Sequence, residues 1–333
     1  MVLSEDCGPL GIEIDAVLSV TAIICTRNRS RFLALAIGSL QNQTYAPHRY
    51  EILVVDNGST DDTSAVVTRL ARNSPVPVHL VEESQVGLSV ARNTSWKFAQ
   101  GEIVAYLDDD AIACPDWIEQ CVKVYMDGDH VQGVGGRIEP WWESPPPTWM
   151  PSSMLRYLTS LDFGDQTRAI AWPEFLPGCN CSYRRNVFEH IGGFDTQLGR
   201  SGASLLAMED NEFSLRAMRA GMTLYYSPHM AIRHYVSARR LTPSSVLAQS
   251  HWAGWSMAIL EIKHFGFGHA AFHAAKEVLR SPSRALKAAY HMARGRRREA
   301  FWWTNNLSMG IGYVGALASA RRFTRSNGYN HSS

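Results

Sequence analysis

Glu102–Ala113, EIVAYLDDDAIA, is the stretch whose reading decides the fold. Ile103–Leu107 is a short apolar run with branched and aromatic members, placed directly after Gly101, and so predicts a buried strand. It ends in three consecutive carboxylates, Asp108, Asp109 and Asp110. Like charges at a strand end repel one another, so a metal, another cation or an arginine is the expected neutralising partner. Hard oxygen donors suit Mg²⁺ or Mn²⁺, and Mg²⁺ is commonly shared with substrate phosphates. The competing reading is a solvated acidic turn before the next helix, for which Asp116 after Pro115 would serve as a cap.

Working back from this stretch, the chain alternates strand and helix. Leu18–Cys25, Glu51–Val55 and Val76–Val81 read as strands, and helical spacing runs through Phe32–Leu40, from Thr63 to Leu70, and through Leu88–Ala99. This alternation predicts an α/β fold with a doubly wound, mainly parallel sheet. Ligands in such sheets bind beyond the carboxyl ends of the strands. Thr26, Arg27, Asp56, Arg92 and Asp108–Asp110 are therefore expected to face one crevice. Neither a GxGxxG fingerprint nor a GxxxxGK[ST] loop occurs, so a nucleotide held with a divalent metal is the natural ligand.

Working forward, Asp116–Met126 reads as a helix and Val131–Ile138 as a strand. A proline-rich segment carrying Trp141, Trp142 and Trp149 is expected to be irregular. Its tryptophans would either stack on a sugar ring or fill a seam under a loop. Cys179 and Cys181, in Gly178-Cys-Asn-Cys181, read as packing residues rather than metal ligands. Met208–Ala220 is a helix ended by Gly221, with Glu209 and Asp210 in its first turn. His234 follows the strand-like Met230–Arg233.

The runs AIICTRNR, EILVVDNGSTDDT, GLSVARNTSWKFAQGEIVAYLDDDA, FLPGCNCSYRRNVFEHIGGFD and MEDNEFSLRAMRAG resemble, in order, the motifs of family 2 glycosyltransferases of the A-type fold. The resemblance extends from Leu18 to about His234. It implies an inverting, metal-dependent transfer of a sugar from a UDP- or dTDP-sugar to a carbohydrate or lipid-linked acceptor, in polysaccharide or glycoconjugate synthesis. It assigns Asp56 to the base, where a carboxylate can accept an imide N–H. Asn57 stands where many members carry a second aspartate. The resemblance assigns Arg92 to the ribose or diphosphate, Asp108 to the nucleoside side and Asp110 to the metal. Thr26, Arg27 and Asp109 group with the nucleotide. Asn180, with Trp141 and Trp142, is expected near donor sugar or acceptor. Asp210 becomes the catalytic base, Glu209 shapes its pocket, and His234 is a further ligand for Mn²⁺ or Mg²⁺. A sugar nucleotidyltransferase would need a glycine-rich loop that CTRNRSRF lacks, and a non-catalytic scaffold would need neither Asp110 nor Asp210.

The sequence has 333 residues, 45% hydrophobic and 19% charged, which are globular values. Six cysteines, Cys7, Cys25, Cys114, Cys121, Cys179 and Cys181, follow no disulfide or zinc spacing and fit a reducing compartment. No basic, apolar leader opens the chain, so a cytoplasmic place is expected, peripheral on the inner face of the membrane. Residues 1–16 are expected as a tail and 17–240 as the catalytic domain, with a nucleotide half to about 113 and an acceptor half beyond. Residues 241–333 form a basic helical extension. From Arg240 onward, 13 Lys and Arg stand against three Asp and Glu. Such asymmetry points to an anionic surface, here a membrane rather than a nucleic acid. Helices are expected over Ala270–Arg280 and Arg284–Arg294. Ala300–Ala320 reads as an interrupted apolar run too short to span. Arg296–Arg298 with Phe301–Trp303 is the expected membrane contact.

Overall fold

The computed structural model describes residues 18–326 apart from residues 159 and 203, so the expected tail, Cys7 and the last seven residues of the extension lie outside the described residues. In chain order the elements are β1 (Val20–Thr26), α1 (Ser30–Gln41), β2 (Tyr50–Asp56), α2 (Thr63–Ala71), β3 (Val78–Glu82), α3 (Leu88–Phe98), β4 (Ile103–Leu107), β5 (Ala111–Ala113) and α4 (Trp117–Tyr125). There follow β6 (Val131–Trp142), β7 (Arg168–Ile170), β8 (Asn180–Arg184), α5 (Arg185–Ile191), α6 (Glu209–Arg219), β9 (Thr223–Val236), α7 (Pro243–Phe265), α8 (Phe267–Ala293) and α9 (Arg297–Ser326).

One sheet runs β3-β2-β1-β4-β8-β6-β9-β5, with β7 added beside β9. Its first four strands are parallel. β8 then enters antiparallel between β4 and β6. Because side chains alternate across a strand, β1 sends Val20, Ala22 and Ile24 to one core and Ile23 to the other. The first core is closed by α1 (Leu33, Ile37, Leu40) and α4 (Trp117, Ile118), the second by Ala91 of α3, Phe188 of α5 and Phe213 of α6. Both faces of β1, β2 and β4 are thus covered, which is why these strands read as largely apolar runs, whereas β3 lies at the edge with His79 and Glu82 exposed.

Two expectations change in the second half. Trp141 and Trp142 end β6 in register with Tyr235 and Val236 of β9, so they belong to regular structure despite the prolines that follow. Trp142 and Trp149 pack against a satellite core of Met150, Met154, Leu158, Val236, Leu241 and Val246, and Trp149 meets Phe301 edge-on at 4.4 Å. Trp142 is partly buried in this seam.

The extension differs more. The two helices expected across Ser281-Pro-Ser283 are one, α8, with Pro282 inside it. Proline deprives the carbonyl four residues earlier of its donor, but Val278 and Pro282 are both exposed, so water can supply the bond. Ala300–Ala320 likewise lies within the single helix α9. Its polar residues are contacts, not interruptions: Ser250 donates to buried Asn305 and Ser308 to the Leu247 carbonyl. Its glycines permit close approach to α7. A Cβ at Gly312 would lie 1.9 Å from the His251 carbonyl oxygen, and one at Gly254 2.0 Å from that of Met309. Gly312→Val is accordingly expected to destabilise the fold by about 1–3 kcal/mol through overpacking, read as a lowered urea midpoint with unaltered slope. An unchanged midpoint would show that α7 and α9 do not cross at that distance.

Candidate active site

Asp108–Asp110 fill the turn between β4 and β5, and β5 pairs with β9 so that Ala111 stands opposite His234. The Tyr235 amide also donates to the Asp110 carbonyl at 2.9 Å. This backbone pairing delivers a histidine from more than a hundred residues downstream onto the triplet. His234 Nε2 lies 3.2 Å from Asp110 Oδ1 and 3.5 Å from Asp108 Oδ2. The ring is buried, and its Nδ1 has no hydrogen-bond partner. Cys179 Sγ joins Asp108 and His234 in a set of donor atoms all within 4.8 Å of one another. The sequence reading of Cys179 as a packing residue is corrected to that extent, since it also lines the cluster.

The three carboxylates do not share one environment. Asp110 pairs with Arg29, a residue the sequence reading did not single out. Arg29 also lies 3.5 Å from Asp109, whose other oxygen accepts from the Thr26 hydroxyl at 2.8 Å. Burial, with the charges of Asp110 and Asp108 adding, pushes Asp109 up to about 7 against the pull of Arg29 and Thr26. Asp108 is the reverse case. Burial would raise it, but the hydrogen bond to His234 and the charge of Arg92 bring it down to about 2. The carboxylate and imidazole donors facing one another fit a divalent ion of the Mn²⁺ or Mg²⁺ kind. Arg29 stands on the same oxygens and would have to release Asp110.

Arg92, on α3, lies inside the protein rather than along open space. Its side chain is 3% exposed, with Nη1 2.7 Å from Glu209 Oε1 and Nη2 3.6 Å from Asp108 Oδ1. The guanidinium passes against Gly178, where a Cβ would come within 2.4 Å of Nη2. That contact explains the glycine of GCNC. Its donors are turned to two protein carboxylates, and it joins the β4 turn to the start of α6.

At that start Met208 adopts φ +72°, an uncommon conformation for a residue with a side chain. The turn sets Glu209 inward against Arg92 and Asp210 toward Gly178, whose amide donates to Asp210 Oδ2 at 2.9 Å. The Asn211 amide donates to the other oxygen at 2.9 Å. Burial first, then the charge of Glu209, pushes Asp210 up to about 7, while these amides and Arg92 oppose the rise. A carboxyl group with that affinity can exchange a proton near neutral pH.

Asn180 is anchored inside the protein. It is fully buried, its amide donates to the carbonyls of Arg137 (3.0 Å) and Met230 (2.8 Å), and its oxygen accepts from the Trp117 indole at 2.8 Å. These bonds tie β8 to β6, β9 and α4. Asn57 does similar work, holding the segment before α3 through the carbonyls of Glu83 and Gln85 and the amide of Gly87. Asp56 ends β2, buried, and accepts from the Ser59 amide at 2.9 Å and the Ser64 hydroxyl at 3.3 Å. Arg27 is exposed beside it, 3.5 Å from the Gly58 carbonyl. Trp141 stands edge-on to Tyr235 at 5.4 Å, and Tyr235 meets Phe32 at 4.5 Å, an aromatic ledge next to Asp110.

The family model described as Glycosyl transferase family 2 matches residues 21–192. Among curated proteins, the glucosyl-dolichyl phosphate glucuronosyltransferase of Haloferax volcanii is 27% identical over 251 residues, 74% of this chain and 78% of that protein. Among solved structures, a mannosyltransferase from Pyrobaculum calidifontis in complex with GDP-Man and Mn²⁺ aligns with a TM-score of 0.62 at 20% identity, covering 90% of this chain and 87% of the other. Staphylococcus aureus TarS in complex with UDP aligns with a TM-score of 0.51 at 17% identity, covering 92% of each chain. At those identities the two structures establish a shared glycosyltransferase A-type architecture.

Proposed function

The chain belongs to glycosyl transferase family 2 and is a glycosyltransferase, and from that premise we propose an inverting, metal-dependent transfer from a UDP- or dTDP-sugar to a hydroxyl of a carbohydrate or lipid-linked acceptor. The observation that carries this reading is the bridge made by Arg92. It joins Glu209, the neighbour of Asp210, to Asp108 in the triplet, so a proton acceptor and a charge-handling cluster belong to one site. In the proposed step the acceptor hydroxyl oxygen attacks the anomeric carbon and its proton passes to Asp210. The bond to the diphosphate breaks on the opposite face, and the nucleoside diphosphate leaves with the bonding pair. Asp108, Asp110 and His234 would hold a Mn²⁺ or Mg²⁺ ion, which supplies positive charge for the leaving diphosphate.

Asp56, at the end of β2, is assigned to the base, with Thr26 and Arg27 lining the same edge. A carboxylate accepts the imide N–H of uracil or thymine, and would also accept the N–H groups of guanine. The mannosyltransferase neighbour binds GDP-Man and TarS binds UDP, so base choice has to be measured. Arg92 and Glu209 are positioning residues in this scheme, and the Trp141–Tyr235–Phe32 ledge is the proposed platform for a sugar ring. We assign residues 17–240 to catalysis and residues 241–333 to attachment at the cytoplasmic face of a membrane. The name of the Haloferax relative, with its dolichyl phosphate, supports a lipid-linked acceptor. No helix among the described residues is long and apolar enough to cross a membrane.

Calorimetric titration of UDP, dTDP and GDP, with Mn²⁺, with Mg²⁺ and with chelator, tests the donor and the metal together. Binding of UDP or dTDP is expected only with metal, and Asp110→Ala or His234→Ala should weaken it. Equal affinity under chelation would remove the metal from the scheme, and binding of GDP alone would reassign the donor.

A further inference from the structure

Helix α8 buries one narrow stripe against α7 and α9, made of Ala270, Ala274 and Glu277 with Ser281, Arg284, Ala288 and His291 partly covered. The opposite side turns away from the protein. Phe272, Leu279 and Leu286 recur there at intervals of seven residues, 62%, 79% and 72% exposed, and Tyr290 extends the line one turn further. Residues of this size, aligned along a long helix and uncovered, are not accounted for by the fold. Lys276, Arg280, Lys287 and Arg294 run beside the line and are also exposed. The one acid in α8, Glu277, faces inward and is held by Arg284. The outward side of α8 therefore carries apolar and basic groups and no carboxylate.

We propose that this side of α8 is the surface by which the protein lies on an anionic lipid bilayer. Charge complementarity selects that occupant. A second copy of the same face would set lysines and arginines against each other with no carboxylate between them, whereas acidic headgroups meet the basic flank while the apolar line enters the acyl boundary. One of the cations already adopts a suited arrangement. Lys276 Nζ lies 4.1 Å over the Phe272 ring, so its charge sits beside a ring that would enter the interface, and Lys287 Nζ lies 4.3 Å over Trp303 of α9. The surface expected from sequence, Arg296–Arg298 with Phe301–Trp303, is less suited. Phe301 packs against Trp149, and Arg298 donates to the Thr148 carbonyl. The proposal rests on the reading that the extension meets a membrane and is independent of which donor or acceptor is used.

Co-sedimentation of the full chain with phosphatidylcholine vesicles, with and without phosphatidylglycerol, tests it. Binding is expected only with phosphatidylglycerol and should weaken with salt. The combined Lys276→Gln, Lys287→Gln and Arg294→Gln substitution should reduce it at least about tenfold. Leu279→Asp with Leu286→Asp should abolish it at an unchanged melting temperature, because both side chains are exposed. The pair Arg296→Gln and Arg297→Gln should bind nearly as the parent does. If instead that pair loses binding and the α8 variants keep it, the docking surface lies elsewhere while membrane attachment stands. A parent that ignores acidic vesicles at low salt overturns both. A concentration-dependent dimer, seen by light scattering without lipid and lost in the Leu279→Asp, Leu286→Asp variant, would make the face a self-interface and overturn the lipid assignment.

Discussion

Asp210→Asn is expected to lower the rate of sugar transfer by about two to four orders of magnitude while leaving the affinity for nucleoside diphosphate unchanged. The amide keeps the volume and its one oxygen can accept from the Gly178 amide, at the loss of the bond from the Asn211 amide to the other oxygen. What is lost is the proposed proton acceptor. Since burial and Glu209 push Asp210 up to about 7, the parent should lose activity as pH falls through that value, when the base becomes protonated. Stability should move the opposite way. A carboxyl raised in the folded state binds protons there that the unfolded chain releases near pH 4, so Asp210 itself makes the fold less stable as pH rises toward 7. Asp210→Asn removes that pH dependence, so the variant's stability should vary less than the parent's between about pH 4 and 7. Near-normal turnover would exclude Asp210 as the base. Glu209 is a poor substitute, because its carboxylate is already paired with Arg92 at 2.7 Å. Retention of the donor's anomeric configuration in the product would contradict single displacement altogether.

The elements bearing these residues were legible where local pattern and packing coincide. Ile103–Leu107 is a strand with the bounds its sequence indicates, because a short run buried on both faces has no amphipathic alternative. What local pattern omits is pairing between distant segments. Nothing near Arg29 signals that its guanidinium reaches Asp110, and nothing in Gly178-Cys-Asn-Cys181 signals that the glycine leaves room for Arg92. Asn180 is a polar residue inside a motif whose amide also ties four elements of the core together, which no local pattern shows. In the extension, glycine and asparagine suggest breaks to local reasoning, yet Gly254, Gly312 and Asn305 are what lets α7 and α9 approach. Helix continuity there is decided by tertiary packing, which overrides propensity.

Arg92→Met should cost about 3–5 kcal/mol of folding stability, because removing one partner leaves buried Glu209 without its counter-charge. It should also allow Asp108 to rise from about 2, since Arg92 is one of the charges holding it there. Arg92→Lys is not expected to restore the parent. A single ammonium cannot reproduce the planar fork whose two nitrogens face Glu209 and Asp108 on different sides. Gly178→Ala approaches the same contact from the other side, since its Cβ would lie 2.4 Å from Nη2 and force the guanidinium aside. Its cost should be about 1–3 kcal/mol, the ordinary range for overpacking. Urea unfolding measures these losses, and titration of UDP in the presence of Mn²⁺ provides the contrast. An arginine serving only as a phosphate contact would, on replacement by methionine, weaken nucleotide binding at unchanged stability. Such a result would return Arg92 to the diphosphate and remove the bridge on which the joint action of Asp210 and the Asp108–Asp110 cluster depends.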